Sequence, residues 1–170
     1  MFGTLSALVF LPLFGMFVLA LIPGRNARAV RIATLVTTIV LFLVSLPLAS
    51  GFRADATMQF EERAPWIPQF GISYHVGIDG ISLFLLLLTT FLAPIVYLSA
   101  WNAITKRVKE FSLFYLLLHT GMIGAFVSLD LFLFYVFWEL MLIPMAFLIG
   151  VWGGERRIYA AVKFVLYTVV

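Results

Sequence analysis

The chain has 170 residues, 64% hydrophobic and 11% charged, with a formal net charge of +3. A soluble domain of this size cannot hide that much apolar surface, so composition excludes a water-soluble enzyme or binding module and points to a polytopic membrane protein. It has no cysteine and two histidines, His75 and His119, which excludes thiolate-held iron–sulfur clusters and disulfides within the chain and disfavours a bis-histidine haem.

The first apolar run, residues 4–22, has no basic residues ahead of it and arginines behind it, the reverse of a secretory signal, and reads as a membrane span. A second span covers 30–49. The segment 51–80 is the one soluble stretch of any size. Met58-Gln-Phe-Glu61 and Ile72-Ser-Tyr-His-Val76 alternate apolar and polar with the period of a strand. Pro65, Trp66, Pro68 and Gly71 between them supply turn chemistry, so the segment is either a short hairpin or an irregular loop anchored by Trp66. Asp79, in Gly77-Ile-Asp-Gly-Ile-Ser82, suits the N-terminus of a third span over 81–100, by capping and by dipole.

Residues 111–151 are almost continuously apolar. As one helix they would reach about 60 Å, twice a hydrocarbon core of roughly 30 Å. They must fold back, and Ser128-Leu129-Asp130 is the expected turn, giving antiparallel spans over 111–127 and 131–151 with Ser128 or Asp130 as N-cap. Gly121, Gly124 and Ala125 allow close helix approach. A last apolar segment, 158–170, reaches only about 20 Å, the start of a sixth span. The expectation is an all-α, antiporter-like helix bundle in a lipid bilayer: one membrane domain over 1–170, forming the N-terminal portion of a longer protein.

Arg25, Arg28, Arg31, Lys106, Arg107, Lys109, Arg156 and Arg157 fall on one side of these spans, and Arg53 and Arg63 on the other. By the positive-inside rule the first set is cytoplasmic and the N-terminus outside, as in a bacterial inner membrane. Basic residues so distributed are orientation signals, and no nucleic-acid partner is expected.

Glu139 is the candidate for chemistry. A carboxylate near mid-membrane costs about 2.5–3.5 kcal/mol on insertion scales, and such residues mark ion paths more often than structural pairs. Pro144, five positions on, leaves the carbonyl of Leu140 without its helical donor. His119, on the preceding antiparallel helix, falls at comparable depth. It either relays protons with Glu139 or packs as an imidazole hydrogen-bonded to a carbonyl or tyrosine, and the second reading is preferred. Lys163, roughly 7 Å inside the last segment, either snorkels to the interface or accepts protons. No phosphate loop, dinucleotide glycine pattern, metal spacing or nucleophile triad is present.

The segment Leu129-Asp-Leu-Phe-Leu-Phe-Tyr-Val-Phe-Trp-Glu-Leu-Met-Leu-Ile-Pro-Met145 resembles the signature of subunit M of proton-translocating NADH:quinone oxidoreductase, the counterpart of mitochondrial subunit 4 of respiratory complex I. Gly77-Ile-Asp-Gly-Ile-Ser82 with Leu88-Thr-Thr-Phe-Leu92 resembles that family's third helix, and Ala160-Ala-Val-Lys-Phe-Val-Leu-Tyr-Thr168 the start of its sixth. The resemblance implies two inverted repeats of helices, each with a broken helix and a line of buried lysines and acids, and covers about a third of the family's length. It assigns Glu139 the fifth-helix glutamate that pairs with a seventh-helix lysine, a position beyond residue 170. Lys163 matches a frequent basic residue of the sixth helix; no family role transfers to His119. The resemblance also implies antiporter-like neighbouring subunits, with NADH, FMN, iron–sulfur clusters and quinone in partner subunits and no cofactor in this chain. Subunits of multisubunit sodium/proton antiporters or of membrane-bound hydrogenases remain alternatives.

Overall fold

A computed structural model describes residues 3–53, 55 and 57–169. Its helices are α1 (Thr4–Leu21), α2 (Ala27–Gly51), α3 (Gly80–Ser99), α4 (Val108–Val127), α5 (Leu131–Trp152) and α6 (Arg157–Val169). The first five are long and apolar enough to cross a membrane, in agreement with the five spans read from the sequence. Boundaries moved where caps decide them. The α2 helix starts ahead of residue 30 because the Asn26 side chain accepts from the amide of Ala29 at 3.1 Å. Asp79 and Asp130 cap α3 and α5 as expected: Asp79 accepts from the Ser82 amide at 2.7 Å, and Asp130 from the amides of Phe132 and Leu133 at 2.9 and 3.2 Å.

The segment between α2 and α3 is a hairpin and not an irregular loop. Strands β1 (Gln59–Ile67) and β2 (Ile72–Ile78) pair antiparallel, with Arg63 opposite His75 and Ala64 opposite Tyr74. The connection is a 3₁₀ turn over Pro68–Phe70 closed by Gly71 at φ +69°, a left-handed conformation that glycine adopts without penalty. The first strand is longer than the alternation at 58–61 suggests. It accommodates Pro65 at an edge, beside an irregular register between Pro65 and Ile67.

Packing runs α1 against α4, α2 against α3 and α4 against α5, with α6 leaning on α5. Buried Leu5, Leu8, Val9, Leu41, Leu86, Ile123 and Phe137 belong to the core nearer the hairpin. Leu19, Val30, Val108 and Leu116 form a smaller cluster toward the opposite end. That end carries the basic loops, and side chains stitch it together. Arg31 donates to the carbonyl of Ile104 at 2.8 Å and lies over the Trp101 ring. Trp152 Nε1 donates to the carbonyl of Lys106 at 3.0 Å.

Helix α1 is held from both ends by residues far along the chain. No side chain of its own caps it at Gly3. Instead, Glu62 of β1 accepts from the amides of Gly3 and Leu5 at 2.8 Å, from the amide of Ser6 at 3.2 Å and from the Ser6 hydroxyl. At the other end Lys109 Nζ donates to the carbonyls of Ala20 and Ile22 at 3.0 and 2.7 Å. A carboxylate on free amides and an ammonium on free carbonyls each satisfy orphan helix-end groups and suit the helix dipole. Neither contact has a local signature in the sequence.

Candidate functional site on the outward face of α5

The geometry of α5 starts with its contact with α4. A Cβ added at Gly124 would fall 2.3 Å from the Phe137 ring, and one at Gly121 would fall 2.9 Å from backbone atoms of Met141. The close approach expected at these glycines is therefore made, with Phe137 and Met141 as the α5 side of the contact. They lie one turn apart on one face. Glu139 stands midway between them in sequence, roughly 200° around the helix from each at about 100° per residue. Its side chain leaves α5 away from α4.

The outward stripe so defined comprises Leu131 (71% exposed), Tyr135 (56%), Glu139 and Ile143 (56%) at four-residue intervals. Among the described residues nothing pairs with Glu139: no hydrogen bond or ion pair reaches it. An unpaired carboxylate eight residues, roughly 12 Å, inside a membrane-length helix demands a partner, a proton or water on that face. A groove of about 420 Å³ between α1, α5 and the hairpin is lined by Phe10, Trp66, Tyr74, Val136 and Phe137 among others, and not by Glu139.

His119 and Glu139 do not meet. His119 is buried within the packet, its Nδ1 donating to the carbonyl of Tyr115 at 2.9 Å, with the Tyr115 ring 4.5 Å away. The facing carboxylate–imidazole pair is not formed, because α4 presents its glycines to α5 while His119 points elsewhere into the bundle. His119→Gln is accordingly expected to leave any proton movement through the assembled protein close to normal, since an amide can donate to the same carbonyl. A clear loss of rate in the assembled protein would return His119 to the proton path.

Lys163 is exposed on α6, with its ammonium 5.9 Å from the Tyr159 ring centre and 5.6 Å from that of Tyr167. Aromatic faces one turn before and one turn after attract the cation. Lys163 and Glu139 form no ion pair. The structure thus presents two separate outward-facing charges.

Sequence reasoning missed several buried polar contacts between helices. Tyr97 and Ser112 share a 2.6 Å hydrogen bond, Ser45 and Thr90 one of 2.9 Å, and the Tyr115 hydroxyl donates to the Ala93 carbonyl at 2.7 Å. These hydroxyls knit α2, α3 and α4 together as polar residues do in membrane bundles. The only available signal was Ser, Thr and Tyr recurring within apolar spans. Sequence reasoning also missed the second role of Asp130. Its carboxylate accepts from the amide of Ser73 at 3.0 Å as well as capping α5, and these amide donors hold it below the usual carboxylate range. Among the described residues no three His, Asp or Glu side chains converge to hold a metal.

Residues 128–170, which contain this face, match the family model described as "NADH:quinone oxidoreductase/Mrp antiporter, TM". The chain is 50% identical over 170 residues to NADH-quinone oxidoreductase subunit M of Rhodobacter capsulatus, covering 96% of this chain and 32% of that protein. It is 43% identical over 169 residues to NADH-ubiquinone oxidoreductase chain 4 of Marchantia polymorpha, covering 98% and 34%. It superposes on a chain of respiratory complex I from Thermus thermophilus with a TM-score of 0.81 at 28% identity, covering 98% and 33%. A chain of an archaeal membrane-bound sulfane sulfur reductase shares the fold, with a TM-score of 0.72 at 18% identity. The chain therefore spans about a third of the length of these relatives. Sequence identity, the family model and the superposed fold agree: the chain belongs to the subunit M and chain 4 family of NADH:quinone oxidoreductases.

Proposed function

We propose that this chain is part of an antiporter-like membrane subunit of a proton-translocating NADH:quinone oxidoreductase and that it moves protons without performing a redox step. NADH, FMN, iron–sulfur clusters and quinone then belong to partner subunits, and electron transfer there drives the charge state of this one. The observation that carries the reading is Glu139, an acid within a membrane-length helix, turned outward with no partner among the described residues. A carboxylate whose charge depends on the nearness of a cation can take up and release a proton as that cation moves. Glu139 is the relay acid, its partner the seventh-helix lysine that the family resemblance implies, and Lys163 a second basic group of the path. The direct test is Glu139→Gln.

A second reading, a subunit of a multisubunit sodium/proton antiporter, is favoured by the wording of the family model alone. It predicts sodium-dependent proton exchange in vesicles without NADH. The names of the relatives at 43–50% identity favour the first reading.

The membrane is the bacterial cytoplasmic membrane, with the hairpin and the N-terminus outside. The clustering of the basic loops at the end opposite the hairpin supports this sidedness. A cysteine at Gln69 on the hairpin turn is expected to react with an impermeant thiol reagent added outside intact cells, and one at Lys106 only after permeabilisation. The reverse pattern would invert the orientation.

A further inference from the structure

We propose that Asp130 is a positioning residue for proton translocation: it ties the start of α5 to the hairpin and so sets the height and rotation at which Glu139 leaves the bundle. This inference rests on the reading of Glu139 as the relay acid.

The two oxygens of Asp130 have separate tasks. Oδ1 caps α5 through the amides of Phe132 and Leu133. Oδ2 accepts from the amide of Ser73 in β2 at 3.0 Å and lies 3.4 Å from the Ser73 hydroxyl. A cap alone needs one oxygen, which serine or threonine would supply; the second serves the hairpin. The same turn is gripped once more, by an antiparallel bridge between Val76 and Ser128 in which the amide of Leu129 donates to the carbonyl of His75 at 2.8 Å. The hairpin is itself fixed to α1 through Glu62. The start of α5 is thereby referenced to the outer surface of the bundle.

Glu139 lies nine residues beyond Asp130, roughly 13.5 Å along a continuous helix. A slip of one residue at the tie moves its carboxylate by about 1.5 Å along the axis and turns it by about 100°. Such a turn takes Glu139 off the open stripe and toward a flank of the bundle. Charge pairing weakens with distance, so the relay is sensitive to a contact well away from its own acid.

The test uses the complete complex with Asp130→Asn. Asparagine offers one carbonyl oxygen and an amino group, so it can cap α5 or accept from Ser73, not both. The expected result is an assembled complex with several-fold slower proton translocation per complex. The pH at half-maximal translocation should also move by about one unit, the low end of what a displaced charge partner does to a carboxylate. Adding Val76→Cys and Ser128→Cys, in a chain with no cysteine of its own, recloses the tie on oxidation and is expected to bring rate and profile back. Where Asp130→Asn does not assemble, Asp130→Ser, which keeps one capping oxygen, carries the same measurement. An assembled variant with normal rate and unmoved profile overturns the proposal, even if less complex forms, because that is the mark of a merely structural cap. Glu139→Gln measured in parallel separates the two ideas. If Glu139→Gln pumps normally, the relay reading fails. If it is inactive while Asp130→Asn is normal, the tie alone is wrong.

Discussion

Glu139→Gln is expected to assemble and to lose proton translocation by on the order of a hundredfold, the low end of what a positioned proton-transferring side chain contributes. Glutamine matches the shape and hydrogen-bonding reach of the acid but fixes its charge at zero. Insertion is not impaired, since removing a membrane carboxylate favours the helix. The proposed function couples electron transfer to proton movement, so NADH oxidation by the complex is expected to fall with it. The outward stripe supplies a control for position. Tyr135 lies one turn from Glu139 and is similarly exposed, so Tyr135→Glu added to Glu139→Gln keeps a carboxylate on the same face and should restore part of the rate. Normal pumping by an assembled Glu139→Gln complex would sink the proposed function.

The second large effect is structural and lies at the α4–α5 contact. Valine at Gly121 would set its Cβ 2.9 Å from the Cα, Cβ and amide nitrogen of Met141. Backbone cannot turn aside as a flexible side chain can, so the helices must separate. Overpacking of this kind costs about 1–3 kcal/mol, and separation also uncovers the faces around Phe137 and Ile123. The expected outcome is a marked drop in assembled complex and in its thermal midpoint. Gly154→Ala is the matched control, since a Cβ there meets nothing within 4 Å. Equal yield and midpoint for Gly121→Val and Gly154→Ala would show that α4 and α5 do not pack through this glycine.

These contrasts show which parts of the molecule its sequence makes readable. Spans, the fold-back at Ser128–Asp130 and the caps at Asp79 and Asp130 rest on local properties: apolar length, a run too long for one crossing, a carboxylate before a helix. Local patterning also marked the hairpin, though not the extra length of β1 past Pro65. Glu139 was conspicuous for its chemistry, yet the direction in which it points was not. Helix α5 carries Phe and Leu on every side, so no polar face betrays its rotation. Its orientation is decided instead by contacts with other elements, the notch that Gly121 and Gly124 open in α4 for Phe137 and Met141 and the tie of Asp130 to Ser73. For the same reason depth alone left open whether His119 faces Glu139; it packs on the Tyr115 carbonyl, the reading its chemistry favoured. The contacts of Glu62, Lys109 and Ser73 were illegible because each joins residues more than fifty positions apart.

The two-ended clamp on α1 has a consequence for biogenesis. Helix α1 leaves the ribosome before the groups that finish it. Its amides wait for Glu62, 56 to 59 residues from its first turn, and its carbonyls for Lys109, 87 to 89 residues from their acceptors. At 5–20 residues per second the second interval alone lasts roughly 4 to 18 s. During that time α1 can sit in the bilayer but cannot be locked in its final place. A helix inserted ahead of α2, α3 and α4 is thus fixed only after them, and docking of α4, which brings Lys109, closes the four-helix packet on which α5 is then laid.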